Sequence, residues 1–392
     1  MSEVVVIDAI RTPIGKRNGG LSTVHPADLL KHALMALINK SGIDPNSVEQ
    51  VVGGCVSQVG EQSYNITRTA WLSAGLPIST AATTVDTQCG SSQQATNIAT
   101  ALVSSGVVDI AIACGVESMS RIPIGSNSSK KLGLGVPIPP SYFDQIEFTS
   151  QFEGAERIAD KWGVTRADTD AFGLLSQQRA AAAWDAGKFD SQVSPVEAPA
   201  RDAEGNPTDQ TVTVSRDEGL RATTLEKLAS LKPVGREDGV HTAGNASQIS
   251  DGAAAVLVMS AQKASELGLT PRAKVIDTCL VGVDPVLMLT GPIDATKRLL
   301  ARTGMAMGDI DVFEINEAFA SVVLAWSREL DADMDRTNPN GGAIALGHPL
   351  GATGAFLLTK ALYELEQTDG TNALVSMCCG GGLGTGTILQ RV

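Results

Sequence analysis

The chain of 392 residues is poor in aromatic side chains, in cysteine and in positive charge, and each shortage excludes a class of protein. Its 30 Lys and Arg against 43 Asp and Glu give a net charge of −13, which disfavours a generic nucleic-acid binder because such proteins present a basic surface. No uncharged apolar run reaches about 18 residues, so no membrane span is predicted. The first run, MSEVVVIDAI, is interpreted as a strand and not as a signal peptide. The six cysteines are scattered without zinc-site spacing, so we expect a cytoplasmic protein with reduced thiols and no metal.

Short β-branched runs alternate with longer amphipathic stretches along the chain. The strand-like runs are 4–7, 50–53, 82–86 and 109–113, and the helix-like stretches include 26–39 and 91–105. Alternation of this kind is typical of an α/β protein built around a mostly parallel sheet.

An internal repeat indicates that the chain contains two similar halves. The segment 36–55 resembles 298–317, since both run from a helix through a glycine and an acidic turn into a strand. The same offset of 262 residues carries Cys89 onto Gly351. The alternative is that any two strand–helix units look alike.

The repeat and the composition predict three units. Residues 1–118 with 251–268 form the N-terminal half, and residues 269–392 form the C-terminal half. The segment 119–250 is rich in polar loops and in turns such as DAEGNPTDQ, so it is interpreted as an insertion.

Cys89 lies in the motif TTVDTQCGSSQQA, between the end of a strand and the start of a helix. The positive end of a helix stabilises a thiolate, and free amides at such an elbow can hold an oxyanion. Cys89 is therefore a candidate nucleophile. The alternative is a small core residue that precedes a helix.

His348 is one of four histidines and lies in the glycine-rich segment NPNGGAIALGHPLGATGA. Its neighbours Gly347 and Pro349 would hold the imidazole in a rigid setting, close to a backbone that can approach a ligand. A neutral imidazole beside a thiol can remove the thiol proton at neutral pH. The alternative is an ordinary loop histidine.

Two further motifs could supply acid–base and oxyanion groups. The strand of SMCCGGGLGTG ends in two thiols followed by glycine amides, and EINEAFA places Asn316 at a strand-to-helix junction. A glycine-rich turn and a helix cap are the alternatives. Two thiols, one imidazole and two candidate oxyanion sites suit the making or breaking of a carbon–carbon bond next to a thioester.

Four motifs taken together carry a family resemblance. C-G-S-S-x-Q-A, N-E-A-F-A, G-H-P-x-G-A-T-G and C-x-G-G-G occur in this order, and essentially the whole chain resembles the thiolase family. The resemblance implies a thiolase fold of two duplicated α/β halves with layered sheets and helices, plus an inserted loop domain that binds CoA and contributes to oligomerisation.

The resemblance also implies catalytic roles. Cys89 matches the nucleophile that forms an acyl-enzyme, His348 its base, and Cys378 the second acid/base. Asn316 matches the residue whose water, with His348, forms one oxyanion hole. The backbone amides of Cys89 and Gly380 match the other.

The implied reaction is ping-pong thiolysis of a 3-ketoacyl-CoA by CoA, or its reverse, with CoA as substrate and with no metal or redox cofactor. Its partners would be acyl-CoA and CoA, in a homodimer or homotetramer. Arg221, Ala243 and Ser247 match CoA contacts, and Met288 and Phe319 match residues that line the acyl pocket.

Some positions depart from the common family pattern. LKPVGRE has Gly235 where many members have phenylalanine, and QFEGAE has Gln151 and Phe152 where many biosynthetic members have Met-Gly. The chain looks most like actinobacterial thiolases of lipid and steroid degradation. We therefore expect a degradative 3-ketoacyl-CoA thiolase that accepts a bulky acyl group. The alternatives are a biosynthetic acetoacetyl-CoA thiolase, a β-ketoacyl synthase and a non-catalytic acyl-CoA-binding protein.

Overall fold

The computed structural model describes residues 2–202 and 204–392, with side chains for all of these except Leu132. Within this part, ten strands form one mixed sheet and two form a separate ribbon. The strands are β1 (Val4–Arg11), β2 (Gly15–Lys16), β3 (Gln50–Gly54), β4 (Ala81–Val85), β5 (Ile110–Ser118), β6 (Val196–Arg201), β7 (Pro207–Val214), β8 (Ser250–Ser260), β9 (Ala273–Gly282), β10 (Val312–Ile315), β11 (Asn372–Cys379) and β12 (Leu383–Arg391).

The helices stand between these strands and in the segment 119–250. They are α1 (Pro26–Ser41), α2 (Ile66–Ser73), α3 (Ser91–Ser104), α4 (Pro140–Phe143), α5 (Gln151–Trp162), α6 (Arg166–Asp185), α7 (Leu225–Ala229), α8 (Ala261–Glu266), α9 (Gly291–Thr303), α10 (Ala320–Leu330) and α11 (Thr353–Thr368). None of the helices in the described residues is both long enough and apolar enough to cross a membrane.

The two halves repeat the same strand arrangement. The sheet order is β10-β11-β12-β9-β1-β8-β5-β3-β4. In the first half β3 pairs parallel with β5, and β5, β8 and β1 then pair antiparallel. In the second half β10, β11, β12 and β9 follow the same sequence of parallel and antiparallel pairs. The expectation of two duplicated α/β halves is confirmed.

The expectation of a mostly parallel sheet is wrong. Among the strand pairs of the described residues, only β3–β4, β3–β5 and β10–β11 are parallel, whereas β8, β1, β9 and β12 pair antiparallel with their neighbours. Parallel pairing requires a crossover connection, but β12 follows β11 through a tight glycine turn. The long segment 119–250 between β5 and β8 would allow either sense of pairing, and β8 pairs antiparallel with both β5 and β1.

Helices α3 and α11 form the central layer of the fold. They pack against each other and against strands of both halves, and every residue of α11 from Thr353 to Leu365 is buried. Helices α1 and α2 cover the outer face of the first half, while α9 and α10 cover that of the second. The structure therefore alternates layers of helix and sheet, with its largest apolar cluster between the halves.

The segment 119–250 packs on both halves. In its described residues the only sheet is the β6–β7 ribbon, which lies against the short turn of helix at Gly20–Thr23, and α5 and α6 pack against α10 of the second half. The boundaries 1–118 with 251–268, 119–250 and 269–392 stay a prediction.

Glycines allow the start of α3 to approach β3 and β5. A Cβ atom on Gly115 would lie 2.3 Å from the carbonyl oxygen of Gly351 and 2.6 Å from Cβ of Ser92. A Cβ atom on Gly54 would lie 2.3 Å from the amide nitrogen of Ser92. Because these Cβ atoms are absent, α3 and the segment around Gly351 can lie directly against β3 and β5.

We predict that Gly115→Ala lowers the free energy of unfolding by roughly 1–3 kcal/mol or more, because backbone atoms would have to move to admit the methyl group. Gly308→Ala is the matched control, since nothing lies within 4 Å of a Cβ atom there. Thermal or urea unfolding measures both variants. Equal effects of the two substitutions would contradict the close approach.

Candidate active site

Cys89 lies in a tight elbow between β4 and α3. Gln88, the residue before it, has a left-handed backbone with φ of 51°. The Ser91 hydroxyl fixes the turn, since it donates to the carbonyl of Gln88 (2.6 Å) and accepts from the amide of Thr87 (2.9 Å). Helix α3 begins two residues after Cys89, so the thiol faces the amino end of that helix.

The Cys89 thiol is protonated at neutral pH. Burial raises its pKa to about 12, although the nearby backbone amides of Gly380 and of Cys89 itself lower it. The two amides that the family resemblance implies as an oxyanion hole therefore both lie close to the Cys89 sulfur. A base is needed to remove the thiol proton.

His348 is held as a neutral imidazole with a defined tautomer. The hydroxyl of Thr353 donates to the carbonyl of Pro349 (2.8 Å), so at 2.7 Å from Nδ1 it acts as an acceptor and the ring proton lies on Nδ1. Nε2 is therefore unprotonated, and it accepts a hydrogen bond from the side-chain nitrogen of Asn316 (3.3 Å). Burial lowers the pKa of His348 to about 4, so the imidazole is neutral at pH 7.

Cys378 lies near the end of β11, fully buried and beside Cys89. Burial raises its pKa well above the ordinary value, and the nearby Cys89 raises it further. The adjacent Cys379 is also close to Cys89, and its thiol donates to the carbonyl of Met377 (3.8 Å). The structure thus brings the motifs of Cys89 and Cys378 to one place.

A cavity of about 320 Å³ opens onto Cys89 and His348. Among the described residues that line it, none is charged, since neutral His348 is the only titratable group there besides the Cys89 thiol. The lining consists of Cys89, Met119, Ile124, Ser150, Gln151, Phe152, Ala246, Ser247, Gln248, Ile249, Leu289, Ala318, Phe319, His348 and Leu350.

Of the five residues matched to substrate contacts, two line the cavity and three do not. Ser247 and Phe319 line the cavity, whereas Met288 lies behind it and its neighbour Leu289 reaches the lining. Met288 packs in the same apolar cluster as Phe319. Arg221 and Ala243 lie outside the lining, joined by a hydrogen bond of 3.2 Å from the guanidinium to the Ala243 carbonyl.

Comparison with known proteins identifies the family. Residues 4–262 match the family model for the N-terminal domain of thiolase, and residues 269–391 match the model for its C-terminal domain. The chain belongs to the thiolase family. Over its full length this thiolase is 46% identical to the steroid 3-ketoacyl-CoA thiolase FadA6 of Mycobacterium tuberculosis, of which 95% is covered. It is 44% identical to the β-ketoadipyl-CoA thiolase of Pseudomonas putida, and both chains are covered completely.

Solved structures agree with the fold of this thiolase. The acetyl-CoA acetyltransferase of Bacillus anthracis superposes with a TM-score of 0.92, and the human mitochondrial 3-ketoacyl-CoA thiolase with 0.89. Each is 35% identical, and each comparison covers 100% of this chain and 99% of the other. The expected thiolase fold is confirmed.

Two residues of this thiolase to which the sequence analysis assigned no role support the His348 segment. Thr353 sets the imidazole tautomer, as described above. Glu117 is buried at the end of β5, and its carboxylate accepts from the amides of Gly351 (2.9 Å), Val56 (2.9 Å) and Ser57 (3.1 Å). A charged residue inside the apolar run of β5 was the available signal for Glu117, because a buried carboxylate requires several donors.

We predict that Thr353→Val lowers kcat/KM by roughly tenfold or more, because the Nδ1 proton of His348 loses its acceptor and a buried unsatisfied donor costs about 1–3 kcal/mol. Thr353→Ser keeps the hydroxyl and is expected to retain most of the activity. Steady-state thiolysis assays compare the two variants. Full activity of the valine variant would show that Thr353 does not position the ring.

The raised pKa of Cys89 and the lowered pKa of His348 predict how the rate of reaction of Cys89 with iodoacetamide depends on pH. Cys89 has a pKa of about 12, so it is a thiol at neutral pH, and His348 has a pKa of about 4, so its imidazole is neutral there. The alkylation rate constant of Cys89 should therefore rise continuously from about pH 6 to about pH 9, as the thiolate fraction grows. Mass spectrometry measures the modification, with Cys89→Ser as the blank. A plateau with a midpoint near neutral pH would indicate a thiolate–imidazolium pair and contradict this view.

Proposed function

We propose that this thiolase is a degradative enzyme that cleaves a bulky 3-ketoacyl-CoA with CoA, through an acyl group on Cys89. The observation that carries the proposal is that Cys89 and His348 line one cavity, while the buried thiol of Cys378 lies close to Cys89, behind that lining. In this proposal CoA and acyl-CoA are substrates, and no metal or redox group takes part.

The first half-reaction transfers the acyl group to the enzyme. Nε2 of His348 removes the thiol proton of Cys89, and the thiolate attacks the 3-keto carbon. The bond between C2 and C3 then breaks, the acyl group stays on Cys89, and Cys378 donates a proton to C2 of the departing acetyl-CoA enolate. Acetyl-CoA leaves, and Cys378 remains as a thiolate.

The second half-reaction regenerates the enzyme. The Cys378 thiolate removes the thiol proton of CoA, and the CoA sulfur attacks the acyl carbonyl on Cys89. The bond to Cys89 breaks, its sulfur recovers a proton from His348, and the shortened acyl-CoA leaves. Cys89 and Cys378 are thereby both protonated again: Cys89 recovers its proton through His348, and Cys378 holds the proton that came from the CoA thiol.

Two sets of donors stabilise the oxyanions in this proposal. The amides of Cys89 and Gly380 serve the oxygen of the group bound to the Cys89 sulfur. Asn316, through a water, and the protonated Nε2 of His348 serve the thioester oxygen of the acetyl-CoA enolate. Preorganised donors of this kind contribute about 3–4 kcal/mol each to transition-state stabilisation.

The lining of the cavity favours an apolar acyl group. A dicarboxylic acyl group, such as the one in the name of the Pseudomonas putida relative, would bring a terminal carboxylate that requires a cationic or several polar partners when buried. The lining residues in the described part of the chain carry no Lys or Arg. The name of the Mycobacterium tuberculosis relative points to a steroid acyl group, which is apolar and wide. A biosynthetic acetoacetyl-CoA thiolase is the second candidate, on the likeness to the Bacillus anthracis structure.

The remaining assignments are part of the same proposal. Ser247, Ala243 and Arg221 contact CoA, and Met288 and Phe319 shape the acyl site. The protein is a homodimer or homotetramer, which the terminal position of β4 in the sheet and the exposed side chains of Leu134 and Phe143 support. Six free cysteines suit a reducing compartment, so we place the protein in the cytoplasm.

We predict that incubation with a bulky 3-ketoacyl-CoA without CoA adds one acyl mass to Cys89, because deacylation requires CoA as acceptor. Cys89→Ser should lose the adduct and the turnover. Cys279→Ala, which removes another buried thiol, should keep both. Intact-protein and peptide mass spectrometry locate the adduct.

A panel of substrates tests the acyl class in the same assay. The proposal expects faster thiolysis of a ring-bearing 3-ketoacyl-CoA than of acetoacetyl-CoA or β-ketoadipyl-CoA. Turnover without an adduct on Cys89 would contradict the mechanism, and strong preference for acetoacetyl-CoA would contradict the substrate class.

A further inference from the structure

An aromatic pair forms one wall of the cavity. The rings of Phe152 and Phe319 meet edge to face, with centroids 5.3 Å apart and planes at 76°. Phe319 is buried, and its backbone forms an isolated β-bridge with Ala246. Its ring packs edge to face against the ring of His241, with centroids 5.3 Å apart. Phe319 is therefore the member of the pair whose position is fixed by its neighbours.

Phe152 is the exposed member of the pair. It is the second residue of α5, and 42% of its surface is exposed, although it also lines the cavity. The exposed part of this aromatic ring contributes no burial energy in the free protein, whereas contact with an apolar ligand would remove that surface from water. The ring is thus placed to contact a substrate at the mouth of the cavity.

Gly235 makes room for Phe152. A Cβ atom on Gly235 would lie 3.2 Å from Cγ of Glu156, which is tight, and 3.4 Å from Cβ of Phe152, which is at the limit of ordinary contact. Gly235 is not among the glycines with a left-handed backbone, so its conformation does not itself require glycine. The missing side chain therefore serves the packing of α5 against this loop and the position of the Phe152 ring.

We propose that Phe152 is a specificity-determining residue, whose ring packs against the ring-bearing or branched part of the acyl group and whose position depends on the space left by Gly235. The inference rests on the proposed function. A two-carbon acyl product presents little surface to a ring at the cavity mouth, whereas a wide acyl group reaches it. Phe152 therefore contributes to the rate for wide substrates and little to the rate for acetoacetyl-CoA.

The test is the ratio of kcat/KM for a ring-bearing 3-ketoacyl-CoA to that for acetoacetyl-CoA. Phe152→Ala is expected to lower this ratio about tenfold, since loss of a few buried apolar groups changes discrimination by that order. Phe148→Ala is the matched control, because Phe148 is 56% exposed and does not line the cavity. Its ratio should equal that of the unmodified protein.

Gly235→Ala tests the dependence on the neighbouring glycine. Alone, it should shift the same ratio, because its methyl group displaces Phe152. In the Phe152→Ala background it should leave the ratio unchanged. An unchanged ratio in Phe152→Ala, with normal thiolysis of both substrates, would overturn the inference alone. Absence of thiolysis in the unmodified protein would instead overturn the proposed function.

Discussion

The contact between the end of β5 and the segment that carries His348 is the constraint on which the site depends. The carboxylate of Glu117 accepts from Val56 and Ser57 of the first half and from Gly351 of the second. Gly115 permits the close approach, because a Cβ atom there would meet the carbonyl of Gly351. His348 lies three residues before Gly351 and is thereby fixed against the Cys89 elbow, which belongs to the other half.

This close packing also sets the electrostatics of the site. Burial keeps the Cys89 thiol and the His348 imidazole neutral, so the resting site holds no thiolate–imidazolium pair. Charge then develops only when a substrate carbonyl is present to receive it, next to the amides of Cys89 and Gly380. Because both groups are neutral before substrate binds, the site can line an apolar cavity without an unpaired buried ion. The neutral lining and the neutral catalytic pair are therefore two aspects of one arrangement.

Sequence reasoning reached the features that depend on local or repeated patterns. The elbow at Cys89 follows from a strand, a glycine and a helix start, and the duplication follows from the offset that carries β5 onto β11. The sense of strand pairing was missed, because it depends on where β8 and β12 return to the sheet. Thr353 lies within the G-H-P-x-G-A-T-G motif and Phe152 was named as a departure from the family pattern, but neither was assigned a contact. Which atoms Thr353 and Phe152 contact depends on how the loop and α5 pack, and the sequence does not specify that. Met288 and Leu289 are adjacent. Met288, matched from the family, has a left-handed backbone and does not line the cavity, whereas Leu289 does.

A crystal structure of the protein trapped with an acyl group on Cys89 and with CoA bound tests the central claim most directly. The account predicts an acyl oxygen within hydrogen-bond distance of the amides of Cys89 and Gly380, with the CoA sulfur beside Cys378 and the acyl chain in the cavity that Phe319 lines. An acyl group directed away from these amides, or a CoA sulfur remote from both thiols, would contradict it.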